Sequence, residues 1–491
     1  MDLGDVASLV SDQGRYLLER LASRSEAYSS QGALALAEGL RRRGVDPRLA
    51  AAALTQLRLR QAAEPKFGEF AQHMLFTDQG LAQATRLVVA AHHARRYLAA
   101  GATHVADLTG GIGGDALALA ALGLRVTVFE RDPLTAAIAR ANLAAFPEAR
   151  IVTADSLEAD LTSADALWAD PSRRAANGRR IFDPAAWDPP LARLLPLATD
   201  RPLGIKAAPG LPHSAIPPGA EAEWVSADGA VVEVALWFGS LRQLPPPGSA
   251  PPPHPPAQPG TFPPGSAAPP HPPAQPDTPT PDAAAPPNPP AQPGSAQPPH
   301  PPAPPGTPTP DAAIPPAAAH GLTRPPGARA GTAARSALVI RDGAAHHLVE
   351  DSVPPLPTGT LGAYLYEPDG AVIRAGLLQQ AAAPLADARL VHPKIAYITA
   401  GQLVQDSPFL TAYSVEDSFP FSLKRLQAYL RRHGIGQLIV KKRGTAVDPA
   451  DLLKRLDLRG EGKMVVILTR LGAQQSVLVV RPLAGTGESG E

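Results

Sequence analysis

Between Asp107 and Asp115 the chain reads Asp-Leu-Thr-Gly-Gly-Ile-Gly-Gly-Asp, a glycine run that follows a strand-like segment and opens a helical one. Glycines there let backbone pass close to a ligand seated at a helix N-terminus, where amide N–H groups lack partners. Taken alone such a loop is weak evidence, because ordinary turns use the same residues. Three acids sharpen it. Glu130 ends the next strand-like run, where a carboxylate can accept hydrogen bonds from ribose hydroxyls. Asp155 follows the third run, where an acid or its neighbours can meet an adenine amine. Asp170-Pro171 ends the fourth. All lie at the carboxyl ends of strands expected to run parallel, the rim on which such sheets bind ligands. The plainer alternatives are a capping role for Asp107 and a surface role for Glu130 or Asp155. Asp115 reads as a first-turn acid favoured by the helix dipole.

Those residues need a scaffold, and the chain supplies one. From 101 to 243, short apolar runs alternate with helical segments, the signature of βαβ units. The runs are Val105–Leu108, Val126–Glu130, Ala149–Thr153, Ala166–Ala169 and Leu203–Lys206. Ala222–Ser226 and Val231–Phe238 then flank Asp228-Gly229, a hairpin signal. The expectation is an α/β fold with a Rossmann-like parallel sheet ending in an antiparallel hairpin. Residues 1–100 read as a helical region. Asp46-Pro47 is a helix start, and a later helix runs from about Asp78 to Leu98. Residues 244–330 are a Pro-rich, low-complexity linker, with HisProProAlaGlnPro at 254–259 and again at 271–276. Such a stretch cannot bury a core and is expected to be disordered. A second α/β domain is expected over 331–484, with strand-like runs at Ala337–Ile340, Gly362–Tyr366, Gln437–Val440, Met464–Thr469 and Ser476–Val480 and a helix from Ser422 to Arg432. A loose tail, 485–491, closes the chain.

Composition removes several kinds of chemistry. The chain of 491 residues contains no Cys, so disulfides, Cys-ligated zinc and cysteine nucleophiles are excluded. Formal net charge is zero, so any nucleic-acid partner must meet a local basic patch. Proline accounts for 59 residues, concentrated in the linker. His254, His271 and His300 decorate its repeats, and no metal is expected anywhere. The acidic N-terminus resembles no signal peptide, and no stretch approaches a membrane span; a cytoplasmic location is expected. Oligomeric state is not readable.

The glycine run, taken with Phe-Glu-Arg-Asp-Pro at 129–133, resembles motifs I and II of class I S-adenosylmethionine-dependent methyltransferases. It is similar in particular to bacterial small-subunit rRNA guanine-N2 methyltransferases and, more loosely, to cap trimethylguanosine synthases. The resemblance implies that Asp107, Thr109, Gly111 and Gly113 cradle the methionine part of S-adenosyl-L-methionine. It implies that Glu130 grips its ribose and Asp155 its adenine end. Thr109 stands where many relatives have glycine. Asp170-Pro171-Ser172-Arg173 resembles motif IV of amine methyltransferases, which implies that Asp170 and the Pro171 carbonyl accept hydrogen bonds from the target amine. An aromatic usually follows that motif and stacks on a flipped base. Ser172 and Arg173 stand here instead, which disfavours adenine-N6 as acceptor, and the missing Cys excludes carbon-5 pyrimidine chemistry through a thiol adduct. Upstream, the segment from Lys66 to Thr85 offers Phe76, Thr77 and Gln83 to cover cofactor and base; packing on the sheet edge is the alternative. Arg173, Arg174, Arg179 and Arg180 either clamp phosphates or lie on a solvated loop. Lys206 is a further pocket candidate; His213 is either a pocket residue or loop filler.

Four runs in the C-terminal region resemble the THUMP-like domain appended to bacterial methyltransferases of this type. They are GlyThrLeuGlyAlaTyrLeuTyrGluProAsp at 359–369, HisProLysIleAlaTyrIleThrAla at 392–400, ProPheSerLeuLysArgLeuGlnAlaTyrLeu at 420–430 and ValLysLysArgGly at 440–444. The likeness implies RNA presentation, with Lys424, Arg425, Lys441, Lys442 and Arg443 on phosphates. The reading is therefore methylation of a base nitrogen in tRNA or rRNA. Two alternatives stay open: a methyltransferase acting on a small molecule or protein, and a non-catalytic cofactor-binding RNA adaptor.

Overall fold

The computed structural model describes residues 1–22, 30–173, 179, 181, 183–242, 334–404 and 406–483. The Pro-rich segment 244–330 and the tail 485–491 lie outside them. The chain opens with α1 (Leu3–Val10), α2 (Asp12–Ala22), α3 (Ser30–Arg42) and α4 (Pro47–Phe67). The Asp46 carboxylate accepts from the Leu49 amide at 2.9 Å, so the start of α4 is capped as expected. The single helix expected over 78–98 is instead two, α5 (Asp78–Gln83) and α6 (Leu87–Ala99). The cause is local. The Lys66 ammonium donates to the carbonyls of Leu81, Ala82 and Ala84 at 2.7, 3.2 and 3.1 Å, satisfying acceptors that a continuous helix would have used.

The first sheet follows: β1 (His104–Asp107), α7 (Gly114–Ala121), β2 (Arg125–Phe129), α8 (Pro133–Asn142), β3 (Ala149–Val152), β4 (Ala166–Ala169), α9 (Leu191–Leu194), β5 (Leu203–Ala207), β6 (Glu221–Ala227) and β7 (Ala230–Trp237). Strands β3-β2-β1-β4-β5 are parallel, and β7 and β6 are added antiparallel. Asp228 and Gly229 hold φ of 51° and 75°, the left-handed pair that a two-residue hairpin turn requires.

The sheet does not stop there. β8 (Ala334–Arg341) pairs parallel to β6, and β9 (Ala344–Val349) pairs antiparallel to β8, giving nine strands in the order β3-β2-β1-β4-β5-β7-β6-β8-β9. The expected boundary at 331 is therefore not a boundary between sheets. Ser336 to Val339 are fully buried, so β8 is covered on both faces like an interior strand.

The remaining elements are β10 (Tyr364–Pro368), α10 (Gly370–Ala375), α11 (Leu378–Ala382), β11 (Arg389–His392), β12 (Ile395–Ala400), β13 (Leu410–Pro420), α12 (Leu423–Arg432), β14 (Ile435–Lys442), α13 (Pro449–Arg455), β15 (Gly462–Leu471) and β16 (Gln474–Pro482). They build a seven-stranded sheet ordered β11-β12-β10-β13-β16-β15-β14. One face of the first sheet packs Trp168 and Trp237 against Phe67, Tyr97 and Leu117 of the helices. The other face, with Ile205, Trp224 and Leu236, continues through Ala371 and Val372 of α10 to Tyr366, Ile398 and Ala412 of the second sheet. Both sheets thus share one core, each fully buried large side chain adding roughly 1.5–3 kcal/mol. Among the described residues no helix is long and apolar enough to cross a membrane.

Candidate active site

The glycine loop is fastened to both strands beside β1. The Gly110 amide donates to the Phe129 carbonyl at 2.9 Å, and a Cβ at Gly110 would lie 2.0 Å from Val128 Cγ1. Gly111 and Gly113 adopt φ of 52° and 85°, where side chains are strained. Glu130 accepts from the Gly111 amide at 3.0 Å and from the Asp132 amide at 2.8 Å. On the other side, Thr109 Oγ1 accepts from the Asp170 amide at 2.5 Å. A glycine at 109 could not make this bond, so the Thr ties the loop to the tip of β4.

A cavity of about 1130 Å³ opens above these strand tips. Thr109, Gly111, Glu130, Asp155, Asp170 and Pro171 all line it. Asp107 and Gly113 do not: Asp107 is buried beneath, accepting from the Thr109 amide at 3.1 Å, and Gly113 faces Leu143. Glu130 and Asp170 share the one cavity, as the motif spacing requires. Asp155 is at its edge, accepting from the Leu157 amide at 2.9 Å with the Arg131 guanidinium 3.9 Å away. Burial pushes the carboxyls of Asp107, Glu130 and Asp170 above the usual carboxylate range, and neighbouring acids push Asp107 and Asp170 further.

Along the cavity wall runs a buried polar chain: Lys206, expected at the pocket, lines it together with Thr85, Asp115 and Glu233, which no motif pairs with it. Lys206 Nζ donates to Asp170 Oδ2 at 2.7 Å and to Thr85 Oγ1 at 2.9 Å. The Thr85 hydroxyl donates to Asp115 at 2.8 Å. His93 stands between Asp115 (3.4 Å) and Glu233 (2.8 Å). Burial pushes Lys206 down, but Asp170, Glu233 and Asp115 outweigh it and hold the ammonium above its ordinary range. Asp115, expected as a first-turn acid, is buried and held below its ordinary range, because His93, Lys206 and Thr85 outweigh the cost of burial. The break between α5 and α6 is what brings Thr85 here. Among the described residues nothing accepts or donates at Asp170 Oδ1, so that oxygen remains for a ligand.

The upstream candidates divide. Thr77 and Gln83 line the cavity. Phe76 is wholly buried, its backbone bonded to the Gln56 side chain at 2.8 and 2.9 Å, and cannot cover a base. Arg173 is on the rim together with two cations not anticipated, Arg193 and Arg374; Arg374 comes from α10 and donates to the Pro209 carbonyl at 3.2 Å. Arg174 and Arg180 lie outside the described residues.

The expected phosphate contacts on and just after β14 are remote from this cavity and already engaged. Lys441 donates to the Tyr413 hydroxyl at 2.5 Å and to Glu367 at 3.3 Å. Arg443 reaches Glu367 at 3.4 Å and the Ala396 carbonyl at 3.1 Å. Lys442 lies 3.9 Å from Asp448. For Lys441 and Arg443 the reason is Glu367, an acid on β10 that a motif-by-motif reading cannot pair with β14. Lys424 and Arg425 do stay exposed on α12.

Comparison with known proteins adds independent support. Residues 56–167 match a family described as "Putative SAM-dependent methyltransferase", residues 410–482 one described as "THUMP domain-like", and residues 2–63 a domain of unknown function. Two S-adenosylmethionine-dependent methyltransferases of Mycobacterium tuberculosis, themselves named uncharacterized, from strains CDC 1551 / Oshkosh and ATCC 25618 / H37Rv, are each 28% identical over 432 residues. The match spans 84% of this chain and 91% of theirs. The crystal structure of a "putative methyltransferase" from Porphyromonas gingivalis W83 superposes with a TM-score of 0.59 at 18% identity. It covers 94% of this chain and all of that one, and so shares the fold.

Proposed function

Since the chain is a class I S-adenosylmethionine-dependent methyltransferase with a THUMP domain-like C-terminal segment, we propose that it methylates a base nitrogen in a structured RNA. The observation that carries the nitrogen is the Asp170 carboxylate, clamped through one oxygen by Lys206 and open to the cavity through the other.

The residues present fit the cofactor. It carries two positive centres, the sulfonium and the α-ammonium. Glu130 and Asp170 line the cavity and Asp107 is buried beneath it, and a cationic ligand relieves the burial and repulsion that raise these carboxyls. The left-handed backbone at Gly111 leaves open space where a side chain would stand. In this assignment Gly111 and the loop hold the methionine end, Glu130 accepts from ribose hydroxyls, and the Asp155 edge meets the adenine.

The cofactor supplies an electrophilic methyl group; the protein's part is alignment. Asp170 Oδ1 and the Pro171 carbonyl accept the two N–H bonds of an amine and so aim its lone pair. Thr109 keeps the β4 tip at a fixed height above the glycine loop. Lys206 opposes the burial that raises Asp170 and so favours its ionised form. Once nitrogen is alkylated it must lose a proton, and Asp170 Oδ1 is the base within reach. RNA is favoured as the acceptor by the THUMP domain-like match and by Arg173, Arg193 and Arg374 on the rim, placed to meet phosphates.

The test is transfer of labelled methyl to RNA isolated from cells lacking the gene, followed by mass spectrometry of the nucleosides. A methylated base that is missing from those cells and restored by the protein is expected. Label entering only metabolite or protein fractions would overturn the RNA assignment.

A further inference from the structure

On the other side of α6 from His93, three side chains converge: His92 of α6, Glu223 of β6 and His347 of β9. Their donor atoms all lie within 4.8 Å of one another. His92 Nε2 is 3.6 Å and His347 Nδ1 3.5 Å from Glu223 Oε1. Ligand atoms about 2.0–2.1 Å from a tetrahedral zinc stand about 3.3 Å apart, so only small shifts close this triangle on an ion. Both ring nitrogens are buried, and among the described residues neither makes a hydrogen bond. His92 is only 6% exposed, and its orphan nitrogen lies 3.6 Å from Glu223 Oε1.

The surroundings suit a cation. Glu223 Oε2 accepts from Trp237 Nε1 at 3.0 Å, and Oε1 accepts from Arg96 at 3.2 Å, so the carboxylate is fixed by outer partners. The Arg96 guanidinium also binds Glu221. Two buried carboxylates therefore share one guanidinium. Imidazole and carboxylate together are the ligands of zinc-type ions.

We propose that His92, Glu223 and His347 bind one divalent transition-metal ion, fastening the β8–β9 hairpin to α6 and β6. The hairpin is the first structure after the Pro-rich segment, so the ion would act as a clamp that holds the chain's return onto the sheet. The site lies outside the catalytic cavity and requires nothing of methyl transfer. It also departs from the expectation of no metal, which spacing could not test because the three residues come from elements far apart in the chain.

The test uses the untagged full chain, stripped with chelator and titrated with Co²⁺ and then Zn²⁺. One equivalent of Co²⁺ should produce visible ligand-field bands that Zn²⁺ abolishes, and Zn²⁺ should raise Tm. His347→Ala changes a side chain at the partly exposed end of the site. It should weaken Co²⁺ binding by about a hundredfold or more and remove the Zn²⁺ effect on Tm. Calorimetric binding of S-adenosylhomocysteine, unchanged in that variant, would confirm that the fold is intact. Failure of the parent chain to take up one equivalent would overturn the proposal. So would equal uptake by His347→Ala, which would place the metal on other histidines.

Discussion

The strand tips of the first sheet and the edge strand β14 of the second both concentrate charge, with opposite results. At the tips, Glu130, Asp155 and Asp170 face a shared cavity; Lys206 takes a single oxygen of Asp170, and Arg131 stands 3.9 Å from Asp155. Along β14, Lys441 and the following Arg443 converge on Glu367, so each cation has a partner, although one carboxylate offsets only one of their two charges. Parallel strands deliver their carboxyl-end residues to one rim, where nothing in the sheet ladder pairs them. A residue within a strand meets side chains from across the sheet, and its charge can be spent there. A charged atom left without a partner therefore marks the ligand site better than the amount of charge in a motif does.

The sharpest way to break this comparison is at Asp170. Asp170→Asn keeps the side chain's shape but supplies an N–H or a weak acceptor where the amine needs a base. Methyl transfer should fall about a hundredfold or more, while calorimetry shows cofactor affinity retained. Lys206→Met probes the same oxygen through pH. Asp170 already titrates above the ordinary range, and losing the ammonium raises it further, so the acidic limb of the rate profile should move to higher pH. A limb that stays in place would detach Lys206 from the mechanism.

The next largest effect is expected at Glu130. Glu130→Gln removes a charged acceptor, and cofactor affinity should fall roughly tenfold or more by calorimetry. Burial raises this carboxyl, so acidification should weaken cofactor binding beginning above the ordinary carboxylate range. The sign is fixed: protonation removes the acceptor, and affinity is lost as pH falls. Affinity that is flat with pH would show that Glu130 serves only the Gly111 and Asp132 amides.

How far these regions were legible follows from the range of the interactions. The rim is local: Gly110 to Gly113, Glu130 and Asp170-Pro171 each sit at a strand end, and strand ends can be read from apolar runs and turn residues. The hairpin at Asp228-Gly229 is local as well. The chain of Lys206, Thr85, Asp115 and His93 is not, since it depends on a helix break enforced by Lys66 bonding to carbonyls of the next helix. Glu367 neutralising Lys441 depends on sheet curvature. The return of β8 and β9 to the first sheet depends on pairing across a segment with no strand signal of its own. Thr109 was readable as a departure from glycine, but its bond to the Asp170 amide was not.

RNA binding puts the charge comparison at issue on the second sheet. Lys424→Glu with Arg425→Glu alters exposed cations on α12. RNA affinity should drop about tenfold, and the salt dependence should lose roughly two counterions. Filter binding across a salt series reads both quantities.

The smallest effect is the one that decides the contrast. Lys441 is spent on Glu367 and the Tyr413 hydroxyl, so Lys441→Met should leave RNA affinity within about twofold and the salt slope unchanged. Its cost should appear in stability instead. Glu367 would keep Arg443 and the hydroxyls of Tyr397 and Tyr413, and denaturant unfolding should record a loss of about 1 kcal/mol, small because the pair is partly exposed. Were RNA binding to fall as far as in the α12 variant, Lys441 would have to exchange Glu367 for phosphate on binding. The folded pairing around β14 would then be a resting state of the RNA surface, and charge neutralised within the sheet would no longer separate scaffold from site.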